Sequence, residues 1–200
     1  MHEMDSTAYA YGLWSAVFFN AALVVFFALS FVRPTRAYEW RSMGAFIGFI
    51  AALFTEMYGF PLTVYLLTNW LGNRYPVLHP FSHANGHLLL VALGLSQSEA
   101  AMTILHLVTN GFMLLGFYLL YRGWIPIYNA TGDELVTEGI YSRIRHPQYV
   151  GIFLITGGLL VQWPTIVTVI TWPLLMAAYY RLAFREEAAL EAKFGERFFE

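Results

Sequence analysis

Long apolar runs broken by short charged segments set the frame of this chain. The first, Tyr11 to Val32, carries no charge and matches the roughly 20 helical residues that cross a hydrocarbon core of about 30 Å. The second, Met43 to Leu71, is interrupted only by Glu56. It exceeds the core, so a tilt or a kink near Gly59 and Pro61 is expected. The third runs from Ala100 to Tyr121, ends at Arg122, and includes His106 and Asn110. The fourth, Tyr149 to Phe184, is too long for one straight span. Pro164, following Gln162 and Trp163, divides it into Tyr149 to Gln162 and Thr165 to Phe184, which predicts a helical hairpin. Leu88 to Leu95 is apolar but short, and Gly86 and Gly94 flank it, as in a re-entrant or surface segment. The pattern predicts an all-α integral membrane fold of about five transmembrane helices, the last two forming a hairpin.

The charges orient this frame, since Arg and Lys collect on the cytoplasmic side of short loops. Placing Arg33, Arg36 and Arg41 inside puts the N-terminus and the segment Leu71 to Glu99 outside. It then returns Arg122, Arg143, Arg145, Arg181, Arg185, Lys193 and Arg197 to the cytoplasm, with Arg74 alone opposed. Five crossings satisfy the bias and leave the C-terminus cytoplasmic, which for a bacterial chain means the inner membrane. A single crossing over Tyr149 to Phe184 does not.

Composition agrees: 58% hydrophobic against 12% charged residues is too apolar for an ordinary soluble domain. A net charge of −2 offers nucleic acid no electrostatic footprint. The absence of cysteine removes disulfides, thiolate metal sites and cysteine nucleophiles. Glu3 and Asp5 precede the first run where a signal peptide has basic residues, so that run is expected to stay as a span. With no repeat or long linker, residues 1–200 read as one membrane domain. Residues 1–121 hold three spans and an outer loop, and residues 122–200 hold a polar loop, the hairpin and the C-terminal segment. Oligomeric state is not legible.

Chemistry has few places to sit. The longest polar stretch, Arg122 to Gln148, contains Gly132-Asp133-Glu134, Glu138-Gly139-Ile140-Tyr141 and Arg143-Ile144-Arg145-His146-Pro147-Gln148. A hairpin brings its own two ends together, so Arg145 and His146 are expected near Glu186 and Glu187. Opposite charges beside a membrane suit a zwitterionic cofactor; a salt-bridge cluster capping helix ends reads equally well. Glu56, counted from Met43, falls near mid-membrane, where a carboxylate is either functional or protonated and bonded to a neighbour such as His106 or Asn110. It is a catalytic candidate. His79, His83 and His87 recur every four residues, yet Pro80 and Gly86 oppose the helix that would make them one metal-binding stripe, so no metal is expected. Trp14, Trp40, Trp70, Trp124 and Trp163 lie where interfacial anchors belong.

The sequence Glu138-Gly-Ile-Tyr-Ser-Arg-Ile-Arg-His-Pro-Gln-Tyr-Val-Gly151, a hydrophobic hairpin, Arg185-Glu-Glu187 and Lys193-Phe-Gly195 together resemble the C-terminal signature of the membrane methyltransferases. These include isoprenylcysteine carboxyl methyltransferases and phospholipid methyltransferases, and the likeness covers about residues 116 to 200. The resemblance implies S-adenosylmethionine between the Arg-His-Pro loop and the Glu-Glu pair. Within the motif, Glu138, Gly139, Tyr141, Arg145, His146, Pro147, Tyr149, Glu186 and Glu187 would form the cofactor site. Arg145 and His146 would hold the carboxylate, with Arg145 also counted as catalytic, and Glu186 or Glu187 the amino group or ribose. Tyr141 and Tyr149 would face the sulfonium. A lipophilic acceptor would arrive from the bilayer, among membrane lipids: an isoprenylcysteine carboxylate, a phospholipid amine or a small hydrophobic thiol. Two features depart from the pattern. Gly111 and Gly116 are wider apart than the Gly-x-Gly of phospholipid methyltransferases, and the sequence ends at Phe198-Phe199-Glu200, where relatives usually continue. A nicotinamide-dependent sterol or steroid reductase, whose C-terminal portion is similar, and a non-enzymatic scaffold or transporter are the alternatives.

Overall fold

The computed structural model describes residues 11–31, 37–71, 86–130 and 135–195, and every element among them is helical. In order these are α1 (Trp14–Phe31), α2 (Ala37–Phe54), a π-helical turn (Thr55–Gly59), α3 (Leu62–Leu71), α4 (Leu88–Ala92), α5 (Glu99–Asn129), a 3-10 turn (Gly139–Ser142), α6 (Pro147–Gln162) and α7 (Ile166–Phe194). Ala37–Gly59, Glu99–Asn129 and Ile166–Phe194 are long and apolar enough to cross a membrane, and Trp14–Phe27 and Pro147–Gln162 are shorter apolar stretches. Phe18, Phe26, Leu107 and Leu114 point outward, a surface suited to lipid and costly in water. The chain is an all-α integral membrane protein. Arg33, Arg36, Arg74, His79, His83, Gly132-Asp133-Glu134 and Arg197 lie outside the described residues.

The last apolar region is the expected hairpin. Trp163 leaves helical geometry after Gln162, and Thr165 caps α7. Its hydroxyl accepts from the Thr168 amide while the Thr168 hydroxyl accepts from the Thr165 amide, satisfying two helix-end donors reciprocally. Two helices outrun their sequence-based bounds. Ser98 caps α5 by accepting from the Ala101 amide at 3.2 Å, and α5 then continues past Arg122 to Asn129, with Pro126 inside it. Likewise α7 carries on through Arg185 to Phe194, so the expected polar tail begins as helix.

Contacts at both ends fix the directions of the helices. Gly12 and Leu13 donate backbone hydrogen bonds to Gly59 and Tyr58, which sets α1 antiparallel to α2. Tyr38, near the start of α2, lies under Arg185 of α7, whereas Thr63, just past α2, accepts from the Ile166 amide at 2.9 Å. Between these ends Met43, Phe46, Phe49, Ile50 and Leu53 of α2 are buried with Ile152, Ile155 and Leu159 of α6 and Leu175, Tyr179 and Leu182 of α7. The second run breaks as expected: α2 passes into the π-helical turn, Phe60 is extended, and Pro61 precedes α3.

α6 lies against α5 along a seam of small residues. A Cβ on Gly116 would stand 2.6 Å from the Gly151 carbonyl oxygen, and one on Gly151 would stand 2.7 Å from that of Gly116. Gly158 meets the Thr109 carbonyl oxygen in the same way, and Gly123 meets Pro147. Lipid tails are as apolar as leucine, so helix pairing in a membrane relies on this backbone approach. Because Pro147 is the first residue of α6, its contact with Gly123 places the residue before it, His146.

Candidate active site

The site forms where the loop enters α6 and α7 leaves the bundle. Gly139, at φ +67, takes the left-handed turn that a glycine adopts most readily and opens the 3-10 turn. Tyr141 then donates its hydroxyl to the Gly123 carbonyl at 2.8 Å, tying the loop to α5. Burial first, then the nearby Glu186 carboxylate, pushes the Tyr141 phenol above its usual range, so it remains a hydrogen-bond donor. Pro147 follows at the first helical position, where its missing N–H would be unpaired in any case.

This geometry aims His146 at the far end of α7. His146 Nε2 lies 3.2 Å from Glu187 Oε1 and Nδ1 lies 3.5 Å from Glu186 Oε2. Arg145 Nη1 is 3.7 Å from Glu187 Oε2. Tyr149 donates its hydroxyl to Glu186 Oε1 at 2.6 Å, and its ring is stacked on His146 at 5.2 Å with an interplanar angle of 2°. Burial depresses the His146 pKa against the pull of Glu187, and Arg145 pushes the same way. The net shift favours the neutral imidazole although it faces two carboxylates.

The structure therefore gathers Arg145, His146, Tyr149, Glu186 and Glu187 into one cluster, with Pro147 and Tyr141 as its supports. Gly139 supplies the turn, and Glu138 precedes it as an exposed residue whose carbonyl accepts from the Tyr141 amide. Glu56 stands apart. Its carboxylate accepts from the Thr63 amide and hydroxyl, each at 2.9 Å, at the end of the bundle where Thr63 meets Ile166. Twenty residues of α7, about 30 Å of helix, separate Ile166 from Glu186. α2 starts at Ala37, earlier than Met43, so Glu56 lies about 28 Å of helix from its start. Its partner is Thr63, in place of His106 or Asn110.

His87 belongs to that opposite end, with Nδ1 2.8 Å from the Gln162 carbonyl oxygen and its ring against Trp163 and His106. Among the described residues no group of three potential metal ligands forms. Sequence reasoning missed the start of α2, where Arg185 lies 5.4 Å over the Tyr38 ring and Glu39 is within electrostatic reach of Tyr149. No spacing in the sequence links α2 to α7, and only the antiparallel packing shows the pairing.

Residues 100–197 match the phospholipid methyltransferase family. The match begins with α5 and runs through the loop and the hairpin, so it contains the seam and the charged cluster together. Comparison with curated proteins and with solved structures gives no match. On this match, residues 100–197 belong to the phospholipid methyltransferase family, and the protein is a membrane-embedded methyltransferase.

Proposed function

We propose that the protein uses S-adenosylmethionine as its methyl donor, bound at the His146 cluster, and methylates a lipophilic acceptor that arrives from the bilayer. The observation that carries this reading is His146 held between Glu186 and Glu187 with Tyr149 stacked on it. A zwitterionic sulfonium needs a cation or N–H beside its carboxylate, an acid beside its ammonium or ribose hydroxyls, and a π face beside its sulfur. Arg145 with His146, Glu186 with Glu187, and Tyr149 meet those needs in one cluster. The ion-pair contacts of Arg145 and His146 with the two glutamates are 3.2 to 3.7 Å long and partly solvated, and Arg145 is 62% exposed, so these partners exchange at little cost.

S-adenosylmethionine, held by Arg145, His146, Glu186, Glu187 and Tyr149, would supply an electrophilic methyl group to the acceptor's lone pair, its sulfur keeping the C–S bonding electrons. The protein's share is alignment and exclusion of water, the main terms when two molecules react as one complex. A carboxylate acceptor needs no base, whereas an ammonium or thiol must first lose a proton. Isoprenylcysteine carboxylate, phospholipid amine and small hydrophobic thiol are the acceptor classes in view. The N-terminus is assigned outside and the site to the cytoplasmic face, on the bias of Arg41, Arg143, Arg145, Arg181, Arg185 and Lys193.

Calorimetry on detergent-purified protein tests the donor. S-adenosylmethionine and S-adenosylhomocysteine should give heats of binding and NADPH none; heat with NADPH alone would overturn the assignment.

A further inference from the structure

Tyr179 is 1% exposed, and its hydroxyl has no hydrogen-bond partner among the described residues. A buried phenol left unpaired is unfavourable, so its retention calls for an explanation. Its position is specific. The Tyr179 ring meets Tyr149 edge-on at 5.1 Å and Phe153 at 6.2 Å, so His146, Tyr149, Tyr179 and Phe153 form an aromatic file leading from the loop into the bundle. Tyr179 precedes Glu186 by two helical turns, about 10 Å along α7.

We infer that the Tyr179 hydroxyl is a hydrogen-bond donor of the acceptor subsite, taking a headgroup oxygen of the lipid to be methylated. This rests on the methyltransferase reading of the same cluster. The donor would lie on the His146 side of Tyr149. A bilayer-borne acceptor reaches Tyr149 from the other side, past the half-buried Phe153. Ester, phosphate and carboxylate oxygens share the required chemistry. Phosphatidylethanolamine and an S-farnesylcysteine analogue, each added to phosphatidylcholine nanodiscs, separate the phospholipid source from the prenyl-carboxylate source.

The test places 3-fluorotyrosine at position 179 and follows its fluorine resonance while each lipid is added. One of the two lipids should shift the resonance, and phosphatidylcholine alone should not. Tyr179→Phe should raise the KM for the responding lipid about tenfold while kcat and the Kd for S-adenosylmethionine stay as in the wild type. It should also leave Tm equal or higher, because no bond is lost from the free protein. An unmoved resonance with both lipids, or an unchanged lipid KM in Tyr179→Phe, would overturn the inference and leave Tyr179 an unpaired core phenol. Failure of the wild type to bind S-adenosylmethionine would sink the parent reading instead, and the fluorine measurement would still decide the lipid contact.

Discussion

Tyr149 donates its hydroxyl to Glu186 across 2.6 Å, joining the first turn of α6 to the C-terminal part of α7. The bond closes the wide end of a hairpin whose other end is the turn at Trp163–Thr165, and it orients the carboxylate beside His146. Tyr149→Phe keeps the ring stack and removes only this bond to a charged group, a change of about 1–2 kcal/mol at a partly exposed carboxylate. Thermal unfolding in detergent should show that loss, and S-adenosylmethionine should bind several-fold more weakly. Wild-type values for both would mean that Glu186 is oriented by other contacts.

His146 makes stability depend on pH in a definite direction. Its folded pKa lies below the ordinary value, through burial first, so the unfolded chain binds a proton where the folded protein does not. The contribution is complete above the unfolded pKa of about 6.5 and is lost as pH falls through the folded pKa. The midpoint of unfolding should therefore drop as pH falls below about 6.5 in the wild type and drop less in His146→Gln. Parallel curves for the two proteins would remove His146 as the cause.

The small-residue seam is predicted to be intolerant at one glycine and permissive at its neighbour. In Gly116→Ala the new methyl meets the Gly151 carbonyl oxygen and Ile155, which are backbone and core atoms that give little, and overpacking of this kind costs about 1–3 kcal/mol. Gly111→Ala faces open space and should match or exceed wild-type stability, since alanine favours helix. Displacing α6 also moves His146, so Gly116→Ala should weaken donor binding. Equal melting temperatures for the two variants would contradict the close approach.

Glu56 is expected to matter for folding and not for turnover. Its carboxylate takes two hydrogen bonds from Thr63 at the first turn of α3, where helix N–H groups lack internal partners. Glu56→Ala should cost about 1–2 kcal/mol, as for other lost helix caps, with kcat and donor affinity per folded molecule unchanged. A fall in kcat at full folding would restore it to the mechanism.

Orientation is open to labelling, because the chain has no cysteine of its own. A single cysteine replacing exposed Lys193 should react with an impermeant maleimide only after the membrane is opened. One replacing exposed Gln97 should react in intact cells. The opposite pattern would reverse the assigned topology.

Much of this protein is legible without coordinates. Apolar runs longer than a bilayer core require spanning helices, Pro164 forces the break between α6 and α7, and a hairpin must return Glu186 and Glu187 to the side of Arg145 and His146. These are consequences of chain length and backbone chemistry, which sequence states directly. Glu56 shows the limit: its distance along the run was readable, but its place depended on α2 starting at Ala37 and on Thr63 lying within reach. Tyr38 and Glu39 enter the site only through the packing of α2 against α7, segments far apart in sequence, and Tyr179 through the way α7 faces Tyr149 and Phe153 of α6. Which faces meet is decided by how closely backbones approach at Gly116 and Gly151 and by which side chains fill the space between helices, and no one-dimensional pattern encodes that geometry.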